Sequence, residues 1–149
     1  DYDEAVRWYR KAGDQGVADA QKSLADIYNF GKGVPQDYDE AARWYRKAAD
    51  QGHDGAQFYF AVMFYNGNGV SQDFDEAAMW FRKAAYQGHA TAQFNLGNMH
   101  REGEGVPQDH NKAARWYRKS ADQGFADAQL NLGALYYVGK GVAKDHKES

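Results

Sequence analysis

The chain is predicted to be all-α, a right-handed α/α superhelix (solenoid) of antiparallel helix pairs, and three observations predict it. The segment that opens at Asp1 returns at Asp37, Asp73 and Asp109, a period of 36 residues without insertion, and a fifth copy starts at Asp145. Landmarks keep their register from copy to copy: Trp8, Trp44, Trp80 and Trp116, or Gly33, Gly69, Gly105 and Gly141. Apolar residues recur at helical spacing and no stretch alternates with period two, which removes a strand reading. A repeat of this length is one supersecondary unit that cannot bury its apolar face alone and stacks on its neighbours.

Within a unit, Asp37 to Ala49 places Ala41, Trp44, Tyr45 and Ala48 at i, i+3, i+4 and i+7, one face of a helix. Asp37 with Glu40 three residues on reads as an N-cap with a supporting acid, repeated at Asp1/Glu4 and Asp73/Glu76 and broken by Lys112 in the last copy. Gly52 stands where that helix would end in the left-handed conformation. The second half, from Ala92 to His100, puts Ala92, Leu96, Met99 and His100 on one face. A Gly-x-Gly-Val loop at Gly31, Gly67, Gly103 and Gly139 then turns the chain, its glycines free to take backbone angles closed to other residues.

The 149 residues have room for one domain with a continuous core. The net charge of -3 gives no electrostatic footprint for nucleic acid or anionic lipid. Zero cysteines exclude disulfides, thiolate nucleophiles and cysteine-bearing zinc sites and leave the redox compartment open. No apolar run approaches the roughly 20 residues of a membrane span, so no membrane insertion is expected. Asp1 opens neither a signal peptide nor a natural translation start, and the sequence is read as an excerpt or a processed product.

The pattern Ala-Gln-x-x-Leu-Gly-x-x-x-x-x-Gly-x-Gly-Val-Pro-x-Asp from Ala92 to Asp109, followed by Ala113, Tyr117 and Gly124, resembles the Sel-one-like repeat (SLR) family, a branch of the tetratricopeptide-like solenoids. In that family's phase a single solenoid over 1–149 holds complete repeats at about 17–52, 53–88 and 89–124, with flanking helices at 1–16 and 125–149. Copies one and two depart from the pattern, with Ala25 and Asp26 after Leu24, and with Phe60 and Ala61 where Leu96 and Gly97 stand. The resemblance implies a scaffold or adaptor of bacterial style that binds a protein or peptide. It also brings two alternatives: an envelope protein that binds or hydrolyses small ligands or β-lactams, like the family's cysteine-rich members, and a passive spacer in a longer array. The disulfide-locked pairs of those members have no counterpart here. The compartment is left open between bacterial cytoplasm and periplasm or export, and terminal helices that expose a stacking face predict self-association.

Positions identical between copies serve the stack, whereas variable exposed positions are free to recognise a partner. By spacing, Leu24, Phe60, Leu96 and Leu132 point inward, and Trp8, Trp44, Trp80 and Trp116 read as structural core rather than a ligand-stacking ladder. By resemblance to tetratricopeptide-like arrays, the Ala-Gln helices line a concave face. It would be made apolar by Phe58, Val62, Tyr65, Phe94, Leu130 and Tyr137 and polar by Asn95, Asn98 and Arg101. Aromatic and arginine residues dominate binding hot spots, and the arrangement predicts a groove for a peptide or partner helix.

No catalytic constellation is found, no cofactor is expected, and the chain is read as not an enzyme. His53 and His89, one repeat apart, would lie roughly 10 Å from each other, too far to share a zinc ion. His110 and His146 occupy the register of Tyr2, Tyr38 and Phe74, a helix start. The serines lack a nucleophile elbow, and the Gly-x-Gly loops lack the third glycine and the strand of a dinucleotide site. The acidic pairs at helix starts are explained by capping.

Overall fold

A computed structural model describes residues 1–139 and contains, over them, eight α-helices of 13 residues and no strand. They are α1 (Tyr2–Asp14), α2 (Ala18–Phe30), α3 (Tyr38–Asp50), α4 (Asp54–Asn66), α5 (Phe74–Tyr86), α6 (Ala90–Glu102), α7 (His110–Asp122) and α8 (Ala126–Val138). The chain forms two compact units, residues 1–80 and 81–149. The first packs α1 on α2, α2 on α3 and α3 on α4, and the second packs α6 on α7 and α7 on α8. The fifth copy, with Asp145, His146 and Gly141, lies outside the described residues.

Each odd helix is started by its aspartate: the side chains of Asp37, Asp73 and Asp109 accept from the backbone N–H three residues on, at 3.1 Å. Asp109 caps as the others do although Lys112 replaces the acid, because the bond goes to the Lys112 backbone. The even helices end on Gly31, Gly67, Gly103 and Gly139 in the left-handed conformation. The second loop glycine has a further reason to be glycine: at Gly69 (φ 73°) a Cβ would stand 2.3 Å from the Tyr38 carbonyl oxygen.

The histidines at the even-helix starts have a plain use. Nδ1 of His53 and of His89 accepts the backbone N–H of Ala56 and Ala92, each at 3.1 Å, so both rings are N-caps. Val17 and Phe125, in the same register, make no such bond. The invariant glutamines, read in the sequence only as part of the family pattern, join helix to helix. Gln21, Gln57 and Gln93 are buried and donate to the carbonyls of Gly13, Ala49 and Ala85 at the end of the preceding helix, each of which also accepts the N–H of the glycine three residues on. Gln51 and Gln123 in turn donate to the side-chain oxygens of Gln21 and Gln93, at 2.8 and 2.9 Å.

Small residues let the aromatic ones in. Ala41, Tyr45, Ala48, Leu24 and Ala25 are fully buried in the first unit, and Leu96, Ala113, Tyr117 and Ser120 in the second. At Gly97 a Cβ would meet the Tyr117 ring at 2.8 Å, so α6 and α7 approach as closely as that glycine allows. Phe60 is buried against Trp80, ring centroids 5.3 Å apart, while Leu132 is half-buried against Ala113, Tyr117 and Leu135.

The tryptophan ladder requires a correction. Trp44 and Trp80 are buried and Trp116 is half-buried, but Trp8 is 58 % exposed and is not core. Each inner tryptophan is covered by the elements before it: Trp44 lies over Gly13, and Trp116 meets Tyr86 edge-on at 5.3 Å. Trp8 instead lies under Arg7 and Lys11 of its own helix, at 6.0 and 4.8 Å from the ring. In three Arg-Lys pairs the lysine caps the ring three residues earlier, Lys11, Lys47 and Lys119 lying 4.7 to 5.6 Å from Trp8, Trp44 and Trp116.

Candidate functional site

The residues expected on a binding face lie on α4, α6 and α8, and the two units present them differently. In the first unit Phe58, Val62 and Tyr65 are half-buried on α4. Phe58 meets Tyr59 edge-on at 5.0 Å, and Tyr65 packs on Phe74 at 5.0 Å while its carbonyl accepts from Gln72. Tyr59 joins them, a residue the sequence reading passed over. Its ring stacks on Tyr45 at 5.5 Å, takes Phe30 on its edge and lies under the Lys22 ammonium at 5.3 Å. Its register mates are Ser23, Asn95 and Asn131, so its variability was the signal that could have found it.

Beside this aromatic group is a half-buried ionic contact. The Tyr45 hydroxyl donates to Asp26 at 2.5 Å, and the other Asp26 oxygen pairs with Lys22 at 2.6 Å. Burial, then the neighbouring carboxylate, drive the Tyr45 pKa far above the ordinary 10.0, so the phenol is a permanent donor.

In the second unit Tyr117 repeats the arrangement with a neutral acceptor. Its hydroxyl donates to Asn98 Oδ1 at 2.5 Å, and Asn131 donates to the same oxygen at 3.3 Å. Burial raises the Tyr117 pKa as well. The register of Asp26, Val62 and Asn98 thus varies for a packing reason: Asp26 and Asn98 accept from a tyrosine nineteen residues on, and the copy with Val62 carries Phe81 there, which has no hydroxyl. Asn98 was expected to offer a hydrogen bond to a partner, but its oxygen is already used within the fold.

Phe94 is also largely internal, half-buried between Tyr117 at 5.9 Å and Phe125 at 5.2 Å. Asn95 is half-buried. Leu130 and Tyr137 on α8 are open to solvent, at 71 % and 92 %. Arg101 pairs with Glu102 at 2.8 Å and lines a cleft of about 360 Å³ with Glu102, Gln108, His110, Asn131, Ala134, Leu135 and Val138. The structure therefore sorts the predicted residues into an internal set, Phe94 and Asn98, an open set, Leu130 and Tyr137, and the half-buried Arg101 at the cleft.

Among the described residues no group of three or more His, Asp or Glu side chains could hold a metal ion, and no helix is long and apolar enough to cross a membrane.

The Sel1 repeat sequence profile matches residues 1–17, 18–53, 55–89, 90–125 and 126–149. Among solved structures, a protective antigen of uropathogenic Escherichia coli displaying an SLR fold is 41 % identical with a TM-score of 0.95, covering 98 % of this chain and 31 % of that one. A Sel1 repeat protein from Oxalobacter formigenes is 36 % identical with a TM-score of 0.89, covering 99 % of this chain and 60 % of that one. The chain therefore spans about a third and somewhat over half of the lengths of these two relatives. Cysteine rich protein B of Helicobacter pylori shares the fold at 22 % identity and a TM-score of 0.69, covering 87 % of this chain and 93 % of that one. No curated protein matches the sequence.

Proposed function

We propose, from the premise that this chain belongs to the Sel1 repeat family, whose members are generally protein-interaction scaffolds, that it is a non-enzymatic module binding a peptide or helix of a protein partner. The observation that carries the reading is the open apolar side of α8. Leu130 and Tyr137 are exposed there, and the polar cleft that holds Arg101 and Asn131 lies against the same helix. Tyrosine and arginine are residue types enriched in binding hot spots, and Leu130 adds exposed apolar surface. Phe58, Val62 and Tyr65 add a half-buried apolar surface on α4 of the first unit. Phe94 and Asn98 serve packing within the fold rather than anchor the partner. The bound segment carries apolar anchors for Leu130 and Tyr137 and an acidic or carbonyl group for Arg101.

The test is capture from the source lysate with the wild-type protein beside an Arg101→Ala, Leu130→Ala, Tyr137→Ala triple variant of unchanged circular dichroism. A protein retained by the wild type and lost with the variant is the expected result. Equal retention by both would refute this face and leave a passive spacer.

A further inference from the structure

The second unit contains a cleft of about 480 Å³ on the side of α5 and α7, apart from the residues of the proposed partner face. Arg82 and Tyr86 of α5, His100 of α6, and Lys112, Arg115, Trp116 and Lys119 of α7 line it. Four of these side chains are cations and none is a carboxylate. In a protein of net charge -3 this concentration of one sign is local and not a property of the surface at large.

The repeat supplies its own control. Two copies earlier, the register of Lys112 is Glu40, which pairs with Arg43 at 2.9 Å. The register of His100 is Tyr28, whose hydroxyl accepts from Arg10 at 2.7 Å. The register of Tyr86 is acidic in every other copy, as Asp14, Asp50 and Asp122. At this cleft three acceptors are replaced together, by Lys112, His100 and Tyr86. Among the described residues no carboxylate pairs with Arg82 or Arg115. The scaffold does not require these departures, since the other copies fold without them.

A second observation points into the same place. His100 is 95 % buried, at 5 % exposure, and its Nδ1 has no hydrogen-bond partner. Burial first, then Lys112 and Arg82, hold its pKa below the ordinary 6.5, against the opposing Pro107 carbonyl and Asp109. Asp109 is committed to the α7 N-terminus through the Lys112 N–H. A buried polar atom without a partner costs stability unless a ligand or water meets it.

We infer that this cleft is a binding site for a phosphate monoester, whose phosphoryl oxygens are shared by Arg82, Arg115, Lys112 and His100 and whose organic part lies on Tyr86 and Trp116. Two guanidinium groups with flanking ammonium groups match a dianion with several acceptor oxygens better than a carboxylate. Trp116 and Tyr86, edge-on at 5.3 Å with Tyr86 73 % exposed, form an aromatic wall for a planar group.

The experiment is calorimetric titration of the intact chain with phenyl phosphate, inorganic phosphate and benzoate, at one low ionic strength. Two variants restore the residues of other copies, Lys112→Glu with Tyr86→Asp, and separately Arg115→Met, so each is compatible with the fold, and circular dichroism checks it. Phenyl phosphate is expected to bind most tightly, with inorganic phosphate next and benzoate weakest, and each variant is expected to weaken phenyl phosphate by about tenfold or more. Absence of phenyl phosphate binding to the wild type, equal affinity for benzoate, or unchanged affinity in the folded variants would each overturn the inference.

Discussion

The hydroxyl of Tyr117 and the amide of Asn98 form a pair whose coupling can be measured against an alternative that the chain itself uses. Tyr117 is fully buried and donates to Asn98 at 2.5 Å. Asn98→Val leaves that hydroxyl unsatisfied in the core, a loss of about 1–3 kcal/mol. Tyr117→Phe removes the donor but leaves Asn131 on the same oxygen at 3.3 Å, so the loss is smaller, about 1 kcal/mol. The double variant reproduces the Val62 and Phe81 register combination and removes both polar partners at once, so it is expected near the wild type. Asparagine and valine have similar helix propensity, so backbone preference does not mask the result. The coupling is then about 2–4 kcal/mol, and for a chain of this size single losses of about 1–3 kcal/mol mean single variants melting roughly 2–10 °C low and a double variant that recovers most of the loss. Thermal melts followed by circular dichroism read all four proteins. Single-variant losses that simply add in the double variant would show that the pair is not a unit and that the register covaries for another reason.

Leu96, fully buried, is expected to lose about 2–5 kcal/mol on truncation to alanine, whereas Tyr137→Ala, at 92 % exposure, changes stability by less than about 0.5 kcal/mol; urea unfolding compares them, and equal losses would contradict the facing of α6 and α8. Acid should weaken the second unit through His100. Its folded pKa lies below the unfolded 6.5, so its contribution is complete above 6.5 and is lost as pH falls from there through the folded value. The wild-type urea midpoint should therefore drop more between about pH 7.5 and about pH 5.5 than that of His100→Phe, the residue in register at Phe64; parallel drops would show that His100 carries no such linkage.

The sequence alone determined the helix pairs and the caps at Asp37 and Asp73, because period, cap and turn chemistry act within a few residues of the chain. It also identified Leu24, Phe60, Leu96, Trp44 and Trp80 as buried, because inward positions repeat with the helical period. Only the tertiary structure decided which variable positions are open. Variation between copies reads as freedom in a sequence, yet at Asp26 and Asn98 it records the hydroxyl of a tyrosine on the next helix. The exposure of Trp8 was equally hidden, since the same residue in the same register is buried as Trp44 and bare as Trp8. The basic cleft is assembled by three helices from residues as far apart as Arg82 and Lys119, and the field they make depends on which acceptors are missing across a gap in space. Local rules do not see that gap.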